Sequence, residues 1–232
     1  MTDRMHEFSD AASLASALAD EVAARLAAAL RDRGTASIAV SGGSTPKKFF
    51  EALSTRDIDW SKVTVTLVDE RFVPADSDRS NHRLVQTHLL KDKAANARFL
   101  PLFYDVASIQ DAAAKATEET AGIDNPFDVV ILGMGNDGHT ASFFPHGNNL
   151  AQAIDLSGPR GVLTMRADGA GEERLTFSFA SLSDARFLAL HIEGQGKKDV
   201  LDQAKAGSDE NEMPIRAVLN RAATPVDIYW AP

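Results

Sequence analysis

Four short, almost uninterrupted apolar runs punctuate the chain at Ala36 to Val40, Val63 to Val68, Phe127 to Leu132 and Phe187 to Ile192, each bounded by Gly, Asp or Pro. Runs of this kind suit strands buried on both faces of a sheet, because a strand with one wet face would alternate apolar and polar residues. Helical patterns separate them, around Pro46 to Leu53, Ser80 to Leu90 and Ser108 to Ala121. Strands alternating with helices predict an α/β fold: an open, mostly parallel sheet with helices on both faces. Ahead of the first run, Leu14, Leu18, Val22, Leu26 and Leu30 repeat every fourth position and Gly34 follows, so Ser9 to Arg33 reads as one long amphipathic helix with Ser9 as its N-cap. Leu175 to Phe179 and Val226 to Trp230 read as further strands, and Lys198 to Ala206 and Ile215 to Asn220 as short helices. Gly158 to Gly171 and Ala206 to Pro214 read as surface connections, the second equally as a mobile lid. No internal repeat interrupts this order, and residues 1–232 are expected to form a single domain.

The chain has no cysteine, so disulfides, thiolate metal sites and a cysteine nucleophile are excluded. Any chemistry falls to serine, histidine and carboxylates. Lys+Arg 24 against Asp+Glu 33 leaves a net charge of −9, which repels nucleic acid and acidic membrane surfaces at long range. A small anion is still permitted, since a pocket needs only a few local cations and backbone N–H groups. No stretch approaches the roughly 18 consecutive apolar residues of a membrane span, and the N-terminus has no signal-like apolar core. The expectation is a cytoplasmic protein acting on a small molecule, with no nucleic acid, no membrane and no obligate protein partner.

Ligands of open α/β sheets sit beyond the carboxyl ends of the strands, and three such junctions carry chemistry here. After the first strand come Ser41, Gly42, Gly43, Ser44 and Thr45, with Pro46 opening a helix that Thr45 is expected to cap. Free N–H groups and a positive helix end make this an anion cradle, with the Ser44 and Thr45 hydroxyls as further donors. The Walker A spacing is absent, and a tight turn is the plain alternative. After the second strand come Asp69, Glu70 and Arg71, charges that are costly at a buried strand end unless they face a cleft or each other. Nearby, Ser80 is positioned to cap a helix that presents Asn81 and Arg83.

The third junction, GMGNDGHTASFFP, is the most informative. It places His139 among Gly133, Gly135 and Gly138, at the expected start of a short helix ended by Pro145. A neutral imidazole there suits general base work, and Asp137 is placed to orient it. The three glycines also spell G-x-G-x-x-G, but no strand leads to an acidic residue about 20 positions on, so a nicotinamide site is disfavoured. His6, His82, His88, His146 and His191 have no comparable setting; His191, inside an apolar strand, reads as structural. No His/Asp/Glu spacing suggests a metal, and no cofactor is expected. Arg174 and Lys197, each beside a strand end, are either surface charges or fixed cations for a phosphate.

Taken in order, SGGSTP, VDERFVP with Ser80 and Asn81, GMGNDGHTASFFP, RLTFSF and the Gly-x-x-Lys at Gly194 to Lys197 resemble the 6-phosphogluconolactonase family across essentially the whole chain. The resemblance implies a Rossmann-like fold, shared with glucosamine-6-phosphate deaminases and ribose-5-phosphate isomerases. It further implies hydrolysis of a phosphorylated sugar lactone in the pentose phosphate pathway. It assigns the phosphate to Gly42, Gly43, Ser44 and Thr45 with Lys197 and Arg174. His139 becomes the catalytic residue, with Asp69 and Arg71 lining the lactone site. Resembling deaminases carry a glutamate six residues after the glycine of the Asp-Gly-His segment, where this chain has Phe144, and a non-catalytic sugar-phosphate sensor would append a basic DNA-binding module.

Overall fold

The computed structural model describes residues 3–232. In chain order its elements are β1 (Arg4–Glu7), α1 (Ala11–Arg33), β2 (Ala36–Val40), α2 (Lys47–Ser54), β3 (Val63–Leu67), β4 (Asp69–Arg71), α3 (Asn81–His88), β5 (Arg98–Leu100), α4 (Ile109–Thr120), β6 (Val129–Leu132), α5 (Leu150–Ala153), β7 (Val162–Met165), β8 (Arg174–Phe177), α6 (Phe179–Leu182), β9 (Phe187–Glu193), α7 (Gln195–Ala206), α8 (Ile215–Arg221) and β10 (Val226–Ala231). The four apolar runs become β2, β3, β6 and β9. Every residue of β2 and β6 is buried, as strands covered on both faces require.

Seven strands form one parallel sheet in the order β1-β10-β9-β6-β2-β3-β5. Right-handed crossovers place the connecting helices according to the direction in which the chain steps across the sheet. From β1 the chain steps in one direction to β2, β3 and β5, which puts α1, α2 and α3 on one face. From β5 it returns to β6 and steps the other way to β9 and β10, which puts α4, α7 and α8 on the opposite face. The packing agrees: α1 lies on α2 and crosses β10 and β2, α2 touches α3, and α7 touches α8. The winding therefore reverses between the adjacent strands β2 and β6. A crevice opens there at their carboxyl ends.

Helix α1 supplies much of the cover, with Leu14, Leu18, Val22 and Leu26 fully buried. Gly34, at φ 80°, closes it in the left-handed conformation. Its N-cap is Asp10 and not Ser9: the Asp10 carboxylate accepts from the N–H of Ala12 at 3.0 Å and of Ser13 at 2.8 Å. A carboxylate at a helix N-terminus also favours the dipole, which a hydroxyl does less well.

A second, antiparallel sheet, β4-β8-β7, departs from the sequence expectation. Asp69 to Arg71 are not merely the end of a strand but a short strand of their own. The segment read as Leu175 to Phe179 runs from Arg174 to Phe177 beside it, and β7 lies inside the supposed surface connection Gly158 to Gly171. Short strands β1 and β5 at the sheet edges were also not anticipated, because four or fewer residues of mixed polarity carry no periodic signal. The connection from Ala206 to Pro214 is contacted by one buried side chain of α8. Arg216, almost fully buried, donates to the carbonyls of Ala204 at 3.0 Å and Asp209 at 2.8 Å and to the Glu212 carboxylate at 3.0 Å.

Glu70 shows how the small sheet is fixed to the large one. Its side chain is fully buried and accepts four hydrogen bonds: from the N–H of Arg71 at 2.8 Å, Asn81 at 2.8 Å and His82 at 2.7 Å, and from the Ser80 hydroxyl at 3.0 Å. Burial pushes this carboxyl up, and the four donors act against that rise. The charge thus caps the start of α3 from a neighbouring strand. Removing it leaves buried donors unpaired, so Glu70→Ala is expected to lower the unfolding free energy by about 3 kcal/mol in denaturant titration; an unchanged midpoint would contradict this role.

Candidate active site

The loop after β2 begins with Ser41, whose N–H bonds to Ile131 O at 2.9 Å and whose hydroxyl accepts from the Gly133 N–H at 3.0 Å. These two bonds lock the end of β2 to the end of β6. Gly42 is obligatory for packing, because a Cβ there would fall 1.8 Å from Asn81 Oδ1. Gly43 has φ 94° and turns the chain toward α2 in a conformation that side chains disfavour. Among the described residues, the N–H groups of Gly42 to Thr45 bond to no other backbone or side-chain group, so all four remain as donors. Thr45 does not cap α2. Pro46 occupies that position, and the helix starts without a side-chain cap.

The small sheet delivers the second group. Asp69 is buried and accepts from the Ser142 hydroxyl at 2.6 Å, while its carbonyl accepts from Asn81 Nδ2 at 2.9 Å. Asn81 thereby touches both Gly42 and the Asp69 backbone. In the antiparallel register Arg71 lies directly opposite Arg174, so the two guanidinium groups share one face. Arg71 donates to the Arg79 carbonyl. Arg174 donates to Ala170 O at 2.5 Å, and its guanidinium carbon lies 5.2 Å from the Phe144 ring centroid. Burial lowers the Arg174 pKa while the Asp69 charge opposes the shift. Among the described residues the Nε atoms of both arginines are buried without a hydrogen-bond partner, and the two guanidinium charges on one face favour an anionic ligand.

The third group is the dyad after β6. His139 Nδ1–H donates to Asp137 Oδ1 at 2.5 Å, and the same oxygen accepts from the His139 N–H at 3.1 Å. A carboxylate at Nδ1 selects the tautomer that leaves the Nε2 lone pair for the cleft. Burial raises the Asp137 carboxyl, but the hydrogen bond and charge of His139 outweigh it and hold the pKa below the ordinary value. The segment from His139 to Pro145 is not the expected helix. It is a tight turn with a Thr140 to Phe143 bridge and Ala141 at φ 49°, and it packs Phe144 against the imidazole with ring centroids 4.3 Å apart and planes tilted by 30°. Gly135 is the glycine this geometry demands, since a Cβ would stand 2.1 Å from His139 Nδ1. Met213, from the connection that Arg216 contacts, packs on Gly138 from behind.

Lys197, in the first turn of α7, donates from Nζ to Met134 O at 2.7 Å. Burial lowers its pKa, and the neighbouring Asp137 charge resists. Of the ten residues given a catalytic or phosphate-binding role in the sequence, all but Asp137 line one cleft of about 280 Å³, the scale of a single small molecule; Glu70 and Arg83 do not line it. Asp137 stands behind His139. The cleft also takes in residues that sequence reasoning had left out, chiefly Ser41, Phe144 and His191. Among the described residues no group of three His, Cys, Asp or Glu side chains is arranged to hold a metal ion, and no helix is long and apolar enough to cross a membrane.

The sequence matches the family described as glucosamine-6-phosphate isomerases/6-phosphogluconolactonase over residues 9–230. It is 65% identical to a 6-phosphogluconolactonase of Rhizobium meliloti strain 1021 over the full length of both chains, and 52% identical to one of Mesorhizobium japonicum over 97% of this chain and 94% of that one. Among solved structures, a 6-phosphogluconolactonase from Shewanella baltica OS155 superposes with a TM-score of 0.95 at 42% identity, covering 99% of this chain and 98% of the other.

The dyad geometry has a spectroscopic consequence. Nitrogen NMR of the imidazoles should show His139 protonated at Nδ1 near neutral pH, and Asp137→Ala should release that preference so that the Nε2–H tautomer gains population. An identical tautomer ratio in the two proteins would show that Asp137 does not orient the ring.

Proposed function

The chain belongs to the glucosamine-6-phosphate isomerase/6-phosphogluconolactonase family, and from that membership together with the cleft we propose that it hydrolyses 6-phospho-D-glucono-1,5-lactone to 6-phospho-D-gluconate. The observation that carries the reading is the meeting of two loops at the winding reversal. Four unpaired N–H groups after β2 and an oriented imidazole after β6 open into one cleft. One molecule with an anionic end and an ester end would engage both.

In this reading the phosphate lies on Gly42, Gly43, Ser44 and Thr45, and Lys197 and Arg174 add fixed positive charge. The lactone carbonyl lies toward His139. Neutral His139 takes a proton on Nε2 from a water molecule as its oxygen attacks the carbonyl carbon, giving a tetrahedral oxyanion and an imidazolium. Asp137 stabilises that imidazolium through Nδ1–H. Arg71 faces the developing oxyanion, a donor worth about 3 kcal/mol in such a role. As the intermediate collapses, the bond from the carbonyl carbon to the ring oxygen breaks, and the imidazolium returns the proton to the leaving oxygen. The product is the open-chain acid, and His139 is neutral again. Asp69, held by Ser142, offsets the Arg71 and Arg174 charges and offers an acceptor for a sugar hydroxyl. No step calls for a metal or organic cofactor.

The deaminase reading lacks its proton carrier. Phe144 stands where resembling deaminases hold a glutamate, and its ring is packed on His139 at 4.3 Å. A single domain over residues 1–232 in the cytoplasm goes with the lactonase reading, supported by one continuous core that includes residues of both sheets.

Fresh lactone made from glucose 6-phosphate, with product coupled to a 6-phosphogluconate dehydrogenase, provides the assay. After subtraction of spontaneous hydrolysis, His139→Ala should lose at least about a hundredfold in kcat/KM. Wild-type activity in the variant would overturn the mechanism, and release of ammonia from glucosamine 6-phosphate would favour the deaminase.

A further inference from the structure

One buried polar group in the cleft has no part in the scheme above. His191 is 3% exposed and lines the cleft, yet among the described residues its Nδ1 has no hydrogen-bond partner. Its Nε2 lies 3.1 Å from Glu193 Oε1. A buried ring nitrogen left unpaired costs free energy comparable to a lost hydrogen bond, so the position calls for a ligand or a reason.

The register locates this nitrogen in the fold. Leu190 of β9 pairs with Leu132 of β6, which brings His191 level with Gly133, the residue whose N–H is bound by Ser41. Its side chain meets α2 and not the opposite layer: the imidazole stands edge-on to Phe49, with centroids 6.1 Å apart at 82°. Phe49 is in the first turn of α2, immediately after the Gly42 to Thr45 loop. His191 therefore lies beneath the point where the anion cradle becomes a helix. The groups facing it are Glu193 on its own strand, Tyr229 in register on β10, the apolar Phe49 on α2, and Lys197 within the same cleft lining.

We propose that His191 is a further ligand of the substrate's phosphoryl group, donating from Nδ1 to a phosphoryl oxygen while Glu193 holds Nε2–H. This rests on the phosphosugar reading of the cleft and extends it. A neutral imidazole has a single N–H. The Glu193 carboxylate requires that hydrogen on Nε2, and an anion at Nδ1 requires another. Both demands are met only by the imidazolium, so ligand binding carries proton uptake at this ring. The consequence is selectivity: the dianionic phosphoryl group recruits a charge that an unphosphorylated sugar lactone does not, and Glu193 balances that charge from behind.

Titration calorimetry of 6-phosphogluconate into wild type, His191→Leu and His191→Asn tests this, run at about pH 8, where an ordinary imidazole is neutral. Two buffers of different ionisation heat give the number of protons taken up. His191→Leu should weaken Kd by about tenfold or more, the scale of a lost charge-assisted hydrogen bond. It should also remove close to one proton from the wild-type uptake, roughly the one that the second N–H requires. His191→Asn, whose amide nitrogen occupies the place of Nδ1, should regain part of the affinity without the proton. A purely structural histidine would change the melting temperature in these variants and leave Kd and proton count at wild-type values, and that result overturns the proposal. If His191→Leu fails to fold, an unchanged proton count in His191→Asn does the same. If the wild type itself does not bind 6-phosphogluconate, the phosphosugar reading fails and this inference falls with it, an outcome distinct from equal binding by wild type and variants.

Discussion

Two hydrogen bonds at Ser41 hold together what everything else in the site relies on. The winding of a parallel sheet reverses between β2 and β6, and at such a reversal the two following loops part to opposite faces. Divergence alone gives an opening of no fixed shape. Here the Ser41 N–H and hydroxyl tie the end of β2 to Ile131 and Gly133, so the anion cradle and the imidazole loop leave from a common, rigid edge. Sites built on strand ends in this way are held more precisely than sites on free loops, as the proposed hydrolysis between a phosphate anchor and a base requires.

Around that edge each supporting contact serves a neighbouring loop. Asn81 occupies the space a Gly42 side chain would need and bonds the Asp69 backbone, while Glu70 fixes the start of the same helix. Met213 backs Gly138, and the buried Arg216 donates to the connection carrying it. The electrostatics follow the same local logic. A net charge of −9 would oppose an anionic substrate, but at physiological salt charges beyond about 8 Å are largely screened. The cleft itself is lined by Arg71, Arg174 and Lys197, partly offset by Asp69 in the lining and by Asp137 behind His139. Charges close to the ligand prevail over the distant surface.

Much of this was legible in the order of residues. Buried parallel strands announce themselves as unbroken apolar runs, so β2, β3, β6 and β9 were readable, and with them the loops that follow. The glycines at 42 and 43 were readable as points of close approach, although not that Asn81 is what Gly42 approaches, and Gly135 was readable only as part of the glycine-rich setting of His139. What escaped is mostly non-local. Strand β4 is three charged residues whose pairing with β8 spans a hundred positions of chain, and β1 and β5 are too short for periodicity. Asp10 displaced Ser9 as a cap because both are good caps and only backbone geometry chooses. His191 was set aside for lying in an apolar strand. The sign that it belonged to the cleft was its place at the strand's carboxyl end, just before Glu193 and Gly194, where strand residues stop being core and start being site.

The central claim is that one ligand spans the two loops, phosphoryl end on the β2 side and carbonyl end at the imidazole. A crystal structure with bound 6-phosphogluconate measures this directly. The account predicts phosphoryl oxygens within hydrogen-bond distance of the Gly43 to Thr45 N–H groups, and the C1 carboxylate beside His139 Nε2. A ligand lying in the reverse sense, with its phosphoryl group at His139 or its carboxylate on the Gly42 to Thr45 loop, would contradict it.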